Sequence, residues 1–320
     1  MRSRAGIRAA GLLLAAAADD VLGDPRRAHP VAGFGAASAA LERCWYADSR
    51  IRGSWHVAVL VGAVATLGIT AERLGHRYPL IGLLGTAAAG WAVLGGASLA
   101  GHGDRLAAEL AAGDLAAARA RLPCLCGRDP ALLDAAGMAR AGTESMAENT
   151  SDAVVAPLLW GAVAGVPGLL GYRAVNTLDA MIGYRSPRYR RFGWTAARLD
   201  DLANLVPARV SALLVAVLAP AVGGSPAAAL CTWRRDAGRH PSPNAGPVEA
   251  AAAGALGVTL GGRTVYRHGI EQRPRLGTGP APGPGDLRRA VRLSRVVSLA
   301  AAALAAGLAL GRSVTTSRAL

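Results

Sequence analysis

Apolar residues gather in blocks at about 7–23, 55–71, 80–100, 153–171, 205–223 and 296–311, with polar stretches between them. A helix needs about 20 apolar residues to cross a bilayer. Segment 80–100 meets that length, 55–71 is short but uncharged, and 296–311 is short and rich in Ala. Segment 153–171 carries Pro157 and Pro167 among glycines. That composition predicts a broken, re-entrant element, which is tolerated at membrane depth where it lines a polar cavity. Residues 102–122 read as an amphipathic helix pair turning at Gly113-Asp114, and Gly277 to Gly285 as a linker. No strand pattern of useful length is visible. The predicted class is therefore all-α: a polytopic integral membrane protein with about four to six apolar helices, one of them re-entrant. It is expected to form a single membrane domain over 1–320, with polar loops at 24–54, 102–152, 172–204 and 224–295. Arg2, Arg4 and Arg8 before an apolar run imitate a signal peptide, but Asp19, Asp20 and Asp24 follow without a cleavage site, so this start reads as a retained helix.

Composition agrees with that class. The chain has 320 residues, is 52% hydrophobic and has a mean hydropathy of +0.29. Its basic residues are all Arg, and the net charge is +14. A nucleic-acid binder would concentrate such charge on one stripe. Here the arginines are scattered between apolar runs, as expected for loops that set orientation or meet headgroups and anionic substrates, so no nucleic-acid partner is expected. Cys44, Cys124, Cys126 and Cys231 form no C-x-x-C and have no His at zinc-ligand spacing; they read as small buried side chains.

The polar block between the apolar segments changes the picture most. One phrase occurs twice, 27 residues apart: Asn149-Thr150-Ser151-Asp152-Ala153 and Asn176-Thr177-Leu178-Asp179-Ala180. Six of the 21 acidic residues lie between 144 and 201, beside apolar runs where carboxylates are costly without a function or a cation. If 141–155 is one α-helix, Glu144, Glu148 and Asp152 share a face at i, i+4 and i+8. Like charges so placed call for a cation, and an oxygen-rich set suits Mg²⁺ bridging carboxylates and phosphates. The plainer alternative is a capping box, Ser145-x-x-Glu148, with Glu144 in a first turn. Asp200-Asp201 is one acceptor more than an N-cap requires, and Asp200 and Asn204 share a helical face. Arg128 and the cluster Arg185, Arg188, Arg190 and Arg191 offer forked donors for phosphates, the cluster also reading as a headgroup-facing loop. His29, beside Pro30 and close to Asp24, is a candidate base or ligand. His240 to Gly246 with Glu249 forms a second rigid polar loop, and Gly261-Gly262 and Arg273 to Gly277 read as turns.

These ordered motifs resemble the CobD/CbiB family of cobalamin biosynthesis. The match includes Gly23-Asp24-Pro25, His29-Pro30-Val31, Gly127-Arg128-Asp129, Glu144, Ala147-Glu148-Asn149-Thr150, Asp152 and Ala156-Pro157-Leu158. It continues through Asn176-Thr177-Leu178-Asp179, Gly183-Tyr184, Asp200-Asp201, Ala203-Asn204, Pro207-Ala208-Arg209, Ser242-Pro243-Asn244 and Glu249-Ala250. Pro130 stands where the family usually has Thr, and Cys126 where it usually has Val. The resemblance implies a multi-pass protein of the bacterial plasma membrane acting as adenosylcobinamide-phosphate synthase. Its substrates would be adenosylcobyric acid and (R)-1-amino-2-propanol phosphate or the free aminoalcohol, with ATP and Mg²⁺.

Chemistry then suggests roles. A carboxylate must be activated before amide formation, most simply as an acyl phosphate. Glu148, Asp152, Asp179, Asp200 and Asp201 are candidate Mg²⁺ ligands that would position nucleotide phosphates. Arg128 or Arg209 would neutralise transferring charge, with Asn149, Asn176, Asn204 and Asn244 as further substrate-binding candidates. Glu144 or His29 would take the ammonium proton, and Glu148 and Asp152 complete the catalytic candidates. The partners expected are the substrates and the lipid bilayer, with a homo-oligomer and an assembly with other corrinoid-pathway enzymes both open. Two other classes are the alternatives: an AmpE-like membrane sensor, which needs no stack of carboxylates, and a membrane enzyme acting on phosphate-bearing lipids. A transporter is disfavoured by the long polar stretches.

Overall fold

The computed structural model describes residues 4–25, 29–184, 186–266 and 269–317. Arg26, Arg27 and Ala28 of the first polar motif and Arg185 of the arginine cluster lie outside the described residues. The chain is a predominantly helical membrane protein. Helical segments Arg50–Arg77, Pro79–Ala111, Ala135–Ile182, Trp194–Val222 and Pro284–Gly311 are long and apolar enough to cross a bilayer. Contacts divide it into two compact units.

The first unit holds residues 1–95, 156–204 and 301–320. It contains α1 (Arg4–Leu22), α2 (Pro30–Trp45), α3 (Arg50–Arg77), α4 (Pro79–Val93), α8 (Ala156–Ile182), α9 (Tyr189–Phe192) and the start of α10 (Trp194–Leu218). Helix α1 packs along α4, and α3 along α8. Val57, Leu60, Leu178, Ile182, Phe192 and Ala196 form a buried cluster. Leu67, Leu80 and Leu84 stay exposed, as a bilayer-facing surface permits. Segment 80–100 does not form one uninterrupted helix: α4 ends at Val93, and α5 (Gly96–Ala111) starts beyond Leu94 and Gly95.

The break expected in 153–171 falls at Gly165, whose φ of 68° and ψ of −148° suit glycine alone. The chain doubles back there. A Cβ on Gly168 would strike the Trp160 carbonyl, and one on Gly161 would stand 2.9 Å from Leu169 Cγ. In a straight helix, eight residues would separate such positions by about 12 Å. The freed backbone groups have side-chain partners. Glu72 Oε2 accepts the Val166 N–H at 2.9 Å, and Arg8 donates to the Ala162 carbonyl at 3.4 Å and to Glu72 at 2.7 Å. A buried break is thus made affordable by one carboxylate and one guanidinium.

The second unit holds residues 96–155 and 205–300. It contains α5, α6 (Leu115–Arg121), α7 (Ala135–Thr150), a π-helical turn (Ser151–Val155), the end of α10, α11 (Pro226–Asp236), α12 (Ala245–Leu256) and the start of α13 (Pro284–Ser317). The α5–α6 pair turns at Gly113, with Asp114 capping α6 at 3.0 Å, as its amphipathic pattern predicts. An antiparallel hairpin contradicts the expectation of no strands: β1 (Leu260–Tyr266) pairs with β2 (Gly269–Leu276), Leu260 opposite Leu276 and Gly262 opposite Arg273. Gly261 and Gly262, with φ of 79° and 83°, make a bulge rather than a turn, and Arg273 to Leu276 lie in β2. Beyond the α5–α6 pair, the stretches read as polar loops carry α2, α7, α9, α11, α12 and the hairpin; the Ala-rich runs of α2, α7, α11 and α12 favour helix whatever their polarity. The cysteines are free, and Cys44, Cys124 and Cys231 are exposed rather than buried.

Candidate functional site

Helix α7 starts ten residues before Ser145, where Asp134 Oδ1 accepts the Gly137 N–H at 2.7 Å. Ser145, Glu144 and Glu148 therefore sit in mid-helix, and the capping-box alternative does not apply. Ser145 instead donates to the Leu125 carbonyl at 2.6 Å and accepts from Asn149 at 2.8 Å, while Asn149 also reaches Leu125 O at 3.3 Å. These bonds fasten the 125–128 segment to α7. Glu144 and Glu148 share a face, but the helix passes into a π turn at Ser151, so the uniform α spacing expected for Asp152 does not hold. Half-buried Asp152 sits in that widened turn, a feature frequent at functional sites.

Glu144 is held at both carboxylate oxygens. Arg128 forms a buried ion pair with its Oε2, and the Gly261 N–H donates to Oε1 at 2.6 Å. Arg140 lies 4.0 Å from Oε1 and donates to the Arg263 carbonyl at 2.7 Å. One acidic side chain thus joins α7, the 125–128 segment and the hairpin backbone. Glu148, one turn on, remains accessible to solvent.

Two residues given no role in the sequence reading complete this cluster. Glu249 is buried on α12, and His240 is buried in the loop before it. His240 Nδ1 is engaged by the Ser242 backbone, 3.1 Å from its N–H and 3.3 Å from its carbonyl. Nε2 stands 4.0 Å from Glu249 Oε2, and neither Nε2 nor Glu249 Oε1 has a hydrogen-bond partner among the described residues. Burial, then the Glu144 and Glu148 carboxylates, push the Glu249 carboxyl well above the usual range, with Arg273 and Arg128 opposing. Burial lowers the His240 imidazole. The sequence signal for Glu249 was present: it is the one acid in an Ala-rich helix. Nearby, Arg209 donates to Asn244 Oδ1 at 3.1 Å, and Asn244 is buried.

The first unit gathers a different set. Asp200 accepts from Asn176 at 3.2 Å and from Asn204 at 3.1 Å, and Tyr172 donates to Asn204 Oδ1 at 2.9 Å. Asp200 and Asp201 lie within α10, so neither is an N-cap; Asp201 faces Arg198 at 3.6 Å. Asp179 lies on α8. His29 caps α2, its Nδ1 accepting the Val31 N–H at 3.2 Å.

The candidate cation ligands therefore divide, with Glu148 and Asp152 in the second unit and Asp179, Asp200 and Asp201 in the first. Among the described residues no group of three or more His, Cys, Asp or Glu is arranged to hold a metal ion. Mg²⁺, however, ordinarily takes one or two carboxylates and completes its shell with water and phosphate oxygens. An accessible Glu148, with half-buried Asp152 four residues on, fits that requirement with hard oxygen donors.

The family model described as CobD/Cbib protein matches residues 12–294. "Cobalamin biosynthesis protein CobD" of Mycobacterium tuberculosis is 59% identical over 299 residues, covering 93% of this chain and 95% of that protein. The proteins of the same description from Rhodobacter capsulatus and Chromobacterium violaceum are each 44% identical, over 295 and 304 residues, covering 90% and 92% of this chain and 93% and 95% of their own. No solved structure matches the chain.

Proposed function

The chain belongs to the CobD/CbiB family of cobalamin biosynthesis, and from that premise we propose that it is an adenosylcobinamide-phosphate synthase of the bacterial plasma membrane. It joins the carboxyl of adenosylcobyric acid to the amino group of (R)-1-amino-2-propanol phosphate, or of the free aminoalcohol, at the expense of ATP. The observation that carries this reading is the cluster of Arg128, Glu144, Glu148, His240 and Glu249 in the second unit. It combines a fixed cation, Arg128, for anionic oxygens with the buried carboxylates of Glu144 and Glu249 for an ammonium.

Glu148 and Asp152 would hold Mg²⁺, which with ATP supplies the activation that a carboxylate needs before amide formation. Everything else falls to the chain's own groups. Arg128, held against Glu144, and Arg209, held by Asn244, present guanidinium donors to carboxyl and phosphate oxygens. His240 Nε2 and Glu249 Oε2 face each other across 4.0 Å, a gap that one polar atom bridges. The ammonium must lose a proton before its nitrogen attacks. Glu144 has Arg128 and the Gly261 N–H on its oxygens, and the Nδ1 of His29 is spent on a cap. We therefore assign the proton to Glu249, whose carboxyl is held well above the usual range by burial and by the neighbouring Glu144 and Glu148 carboxylates, so that it takes up a proton more readily than an ordinary carboxylate. Asn149 holds the segment that carries Arg128. Asp179, Asp200 and Asp201, with Asn176 and Asn204, remain candidates for a second cation or phosphate contact in the first unit.

The test is an assay on detergent-purified protein with adenosylcobyric acid, aminopropanol phosphate, ATP and Mg²⁺, read by mass spectrometry. A corrinoid of the amide-linked mass, lost when ATP or Mg²⁺ is omitted, is expected. Asp152→Asn should abolish turnover with little loss of folding, and a near-normal rate in that variant would remove its metal role. Folded protein giving no product alongside active corrinoid controls would overturn the synthase assignment.

A further inference from the structure

A cleft of about 720 Å³ in the first unit is lined by Arg50, Arg190, Arg191, Arg198, Tyr184 and Trp194, with Asp201 at its edge. Of the residues named for the proposed ligation chemistry only Asp201 lines it, and that carboxylate faces Arg198. Arg188, the neighbouring arginine, is held away by Glu42 at 2.8 Å and lies over the Tyr46 ring at 4.0 Å, which fixes the loop that carries the cleft. Of the cleft's own arginines, Arg191 faces Asp48 at 3.9 Å and Arg198 faces Asp201 at 3.6 Å, both loose, solvent-exposed pairs. Arg50 lies over the Trp194 ring at 5.1 Å, and Arg190 has no acidic partner among the described residues. The cleft therefore carries an excess of positive charge.

Its place in the chain says what kind of anion it meets. Arg50 is the first residue of α3 and Trp194 the first of α10, and both helices belong to segments long and apolar enough to cross a bilayer. Arginines with Trp and Tyr at the ends of such helices mark the headgroup level. Immediately beyond lie outward-facing apolar side chains: Ile51 and Leu202 are 70% and 64% exposed, and Trp55 and Leu199 are exposed as well. A soluble phosphate ester would use the arginines alone. A phospholipid would use both the arginines and the apolar side chains. We propose that this cleft binds the headgroup of an anionic phospholipid, with the acyl chains lying against Ile51, Trp55, Leu199 and Leu202.

The experiment is native mass spectrometry of the full-length protein in detergent, titrated with phosphatidylglycerol or with phosphatidylcholine of the same acyl chains. Phosphatidylglycerol should be retained preferentially. Arg50→Gln and Arg190→Gln should each weaken its retention about fivefold, the scale of one arginine at an anionic surface. Phosphatidylcholine adducts and thermal melting should not change, and Arg190→Lys should restore the preference. Glycerol 3-phosphate, which has the ester without the chains, should fail to displace the lipid. Equal retention of the two lipids, or full preference in both Gln variants, would overturn the proposal. Displacement by glycerol 3-phosphate would also overturn it, assigning the cleft to a soluble phosphate ester instead.

Discussion

The Arg128–Glu144 pair offers the most direct test of the second unit's architecture. Both side chains are almost fully buried, at 6% and 2% exposure, so neither charge can fall back on water when its partner is removed. Breaking a buried pair from one side generally costs about 3–5 kcal/mol, because it strands the other charge. In Arg128→Met, Glu144 keeps the Gly261 N–H at 2.6 Å and has Arg140 at 4.0 Å. The loss should therefore sit at the low end, about 3 kcal/mol. Glu144→Gln removes the carboxylate paired with buried Arg128 and weakens the bond to Gly261, and should cost about as much. The double variant strands neither charge, so its loss should fall short of the sum by about 2 kcal/mol. Mixed-micelle unfolding followed by circular dichroism measures all four corners of the cycle. Hydrogen exchange supplies a second readout: Glu144→Gln should speed exchange at the Gly261 amide, and a remote surface substitution should not. Additivity within about 0.5 kcal/mol would show that the two side chains do not compensate each other and would refute the reasoning.

Three further outcomes follow from other groups. Because burial raises the Glu249 carboxyl, its ionisation opposes folding: this cost is absent below the unfolded-state value and grows as pH rises from there to the folded-state value. Glu249→Gln should accordingly raise thermal stability at pH 8, leave it unchanged at pH 4 and lower kcat; equal melting shifts at both pH values would contradict the assignment. Asp236, buried on α11, accepts the Gly277 N–H at 2.9 Å and is held below the usual carboxylate range by Arg235, so its stabilisation is present near neutrality and lost as pH falls through that lowered value. Asp236→Asn should cost about 2 kcal/mol at pH 7 by the same unfolding assay, with the difference narrowing in acid. Gly165→Ala places a Cβ against the Glu72 carboxyl at a φ of 68° and should cost at least about 2 kcal/mol, seen as lower detergent-resistant yield and melting temperature; a neutral result would show that the chain does not break there.

The helices and the break were legible because both leave marks in composition. Apolar blocks report bilayer contact directly, and Pro167 among glycines reports a helix that cannot continue. The hairpin was not legible. In β1, Leu260-Gly261-Gly262-Arg263 shows no alternation, and Pro274 in β2 argues against a strand. Its register is secured from outside by Glu144 on the Gly261 N–H and Arg140 on the Arg263 carbonyl, tertiary bonds that no local pattern encodes. The π turn was hidden for the same reason, since a one-residue phase change leaves the run of residue types unaltered. Glu249 and His240 were visible as polar residues in a Pro-fixed loop and an Ala-rich helix. That they face each other at 4.0 Å is a fact of folding.

The doubled Asn-Thr-x-Asp phrase separates what a motif does for the fold from what it leaves for chemistry. In both copies the Thr hydroxyl donates to the carbonyl four residues back, Thr150 to Met146 at 2.6 Å and Thr177 to Arg173 at 2.7 Å. In both, the Asn amide reaches beyond its own helix, Asn149 to the Leu125 carbonyl and Asn176 to Asp200. These are positioning functions, and they recur because the local problem recurs: a polar face on an apolar helix must find partners. The surroundings of the two Asp residues are what differ. Asp152 lies in the π turn one turn beyond Glu148, in the unit that holds Arg128 and Glu249, whereas Asp179 lies in regular α-helix, in the unit that holds Asp200. Two equivalent half-sites would repeat the environment of the carboxylate. Only the anchoring is repeated here, so the resemblance between the copies reflects helix fastening, and the role proposed for Asp152 does not pass to Asp179 through the shared phrase.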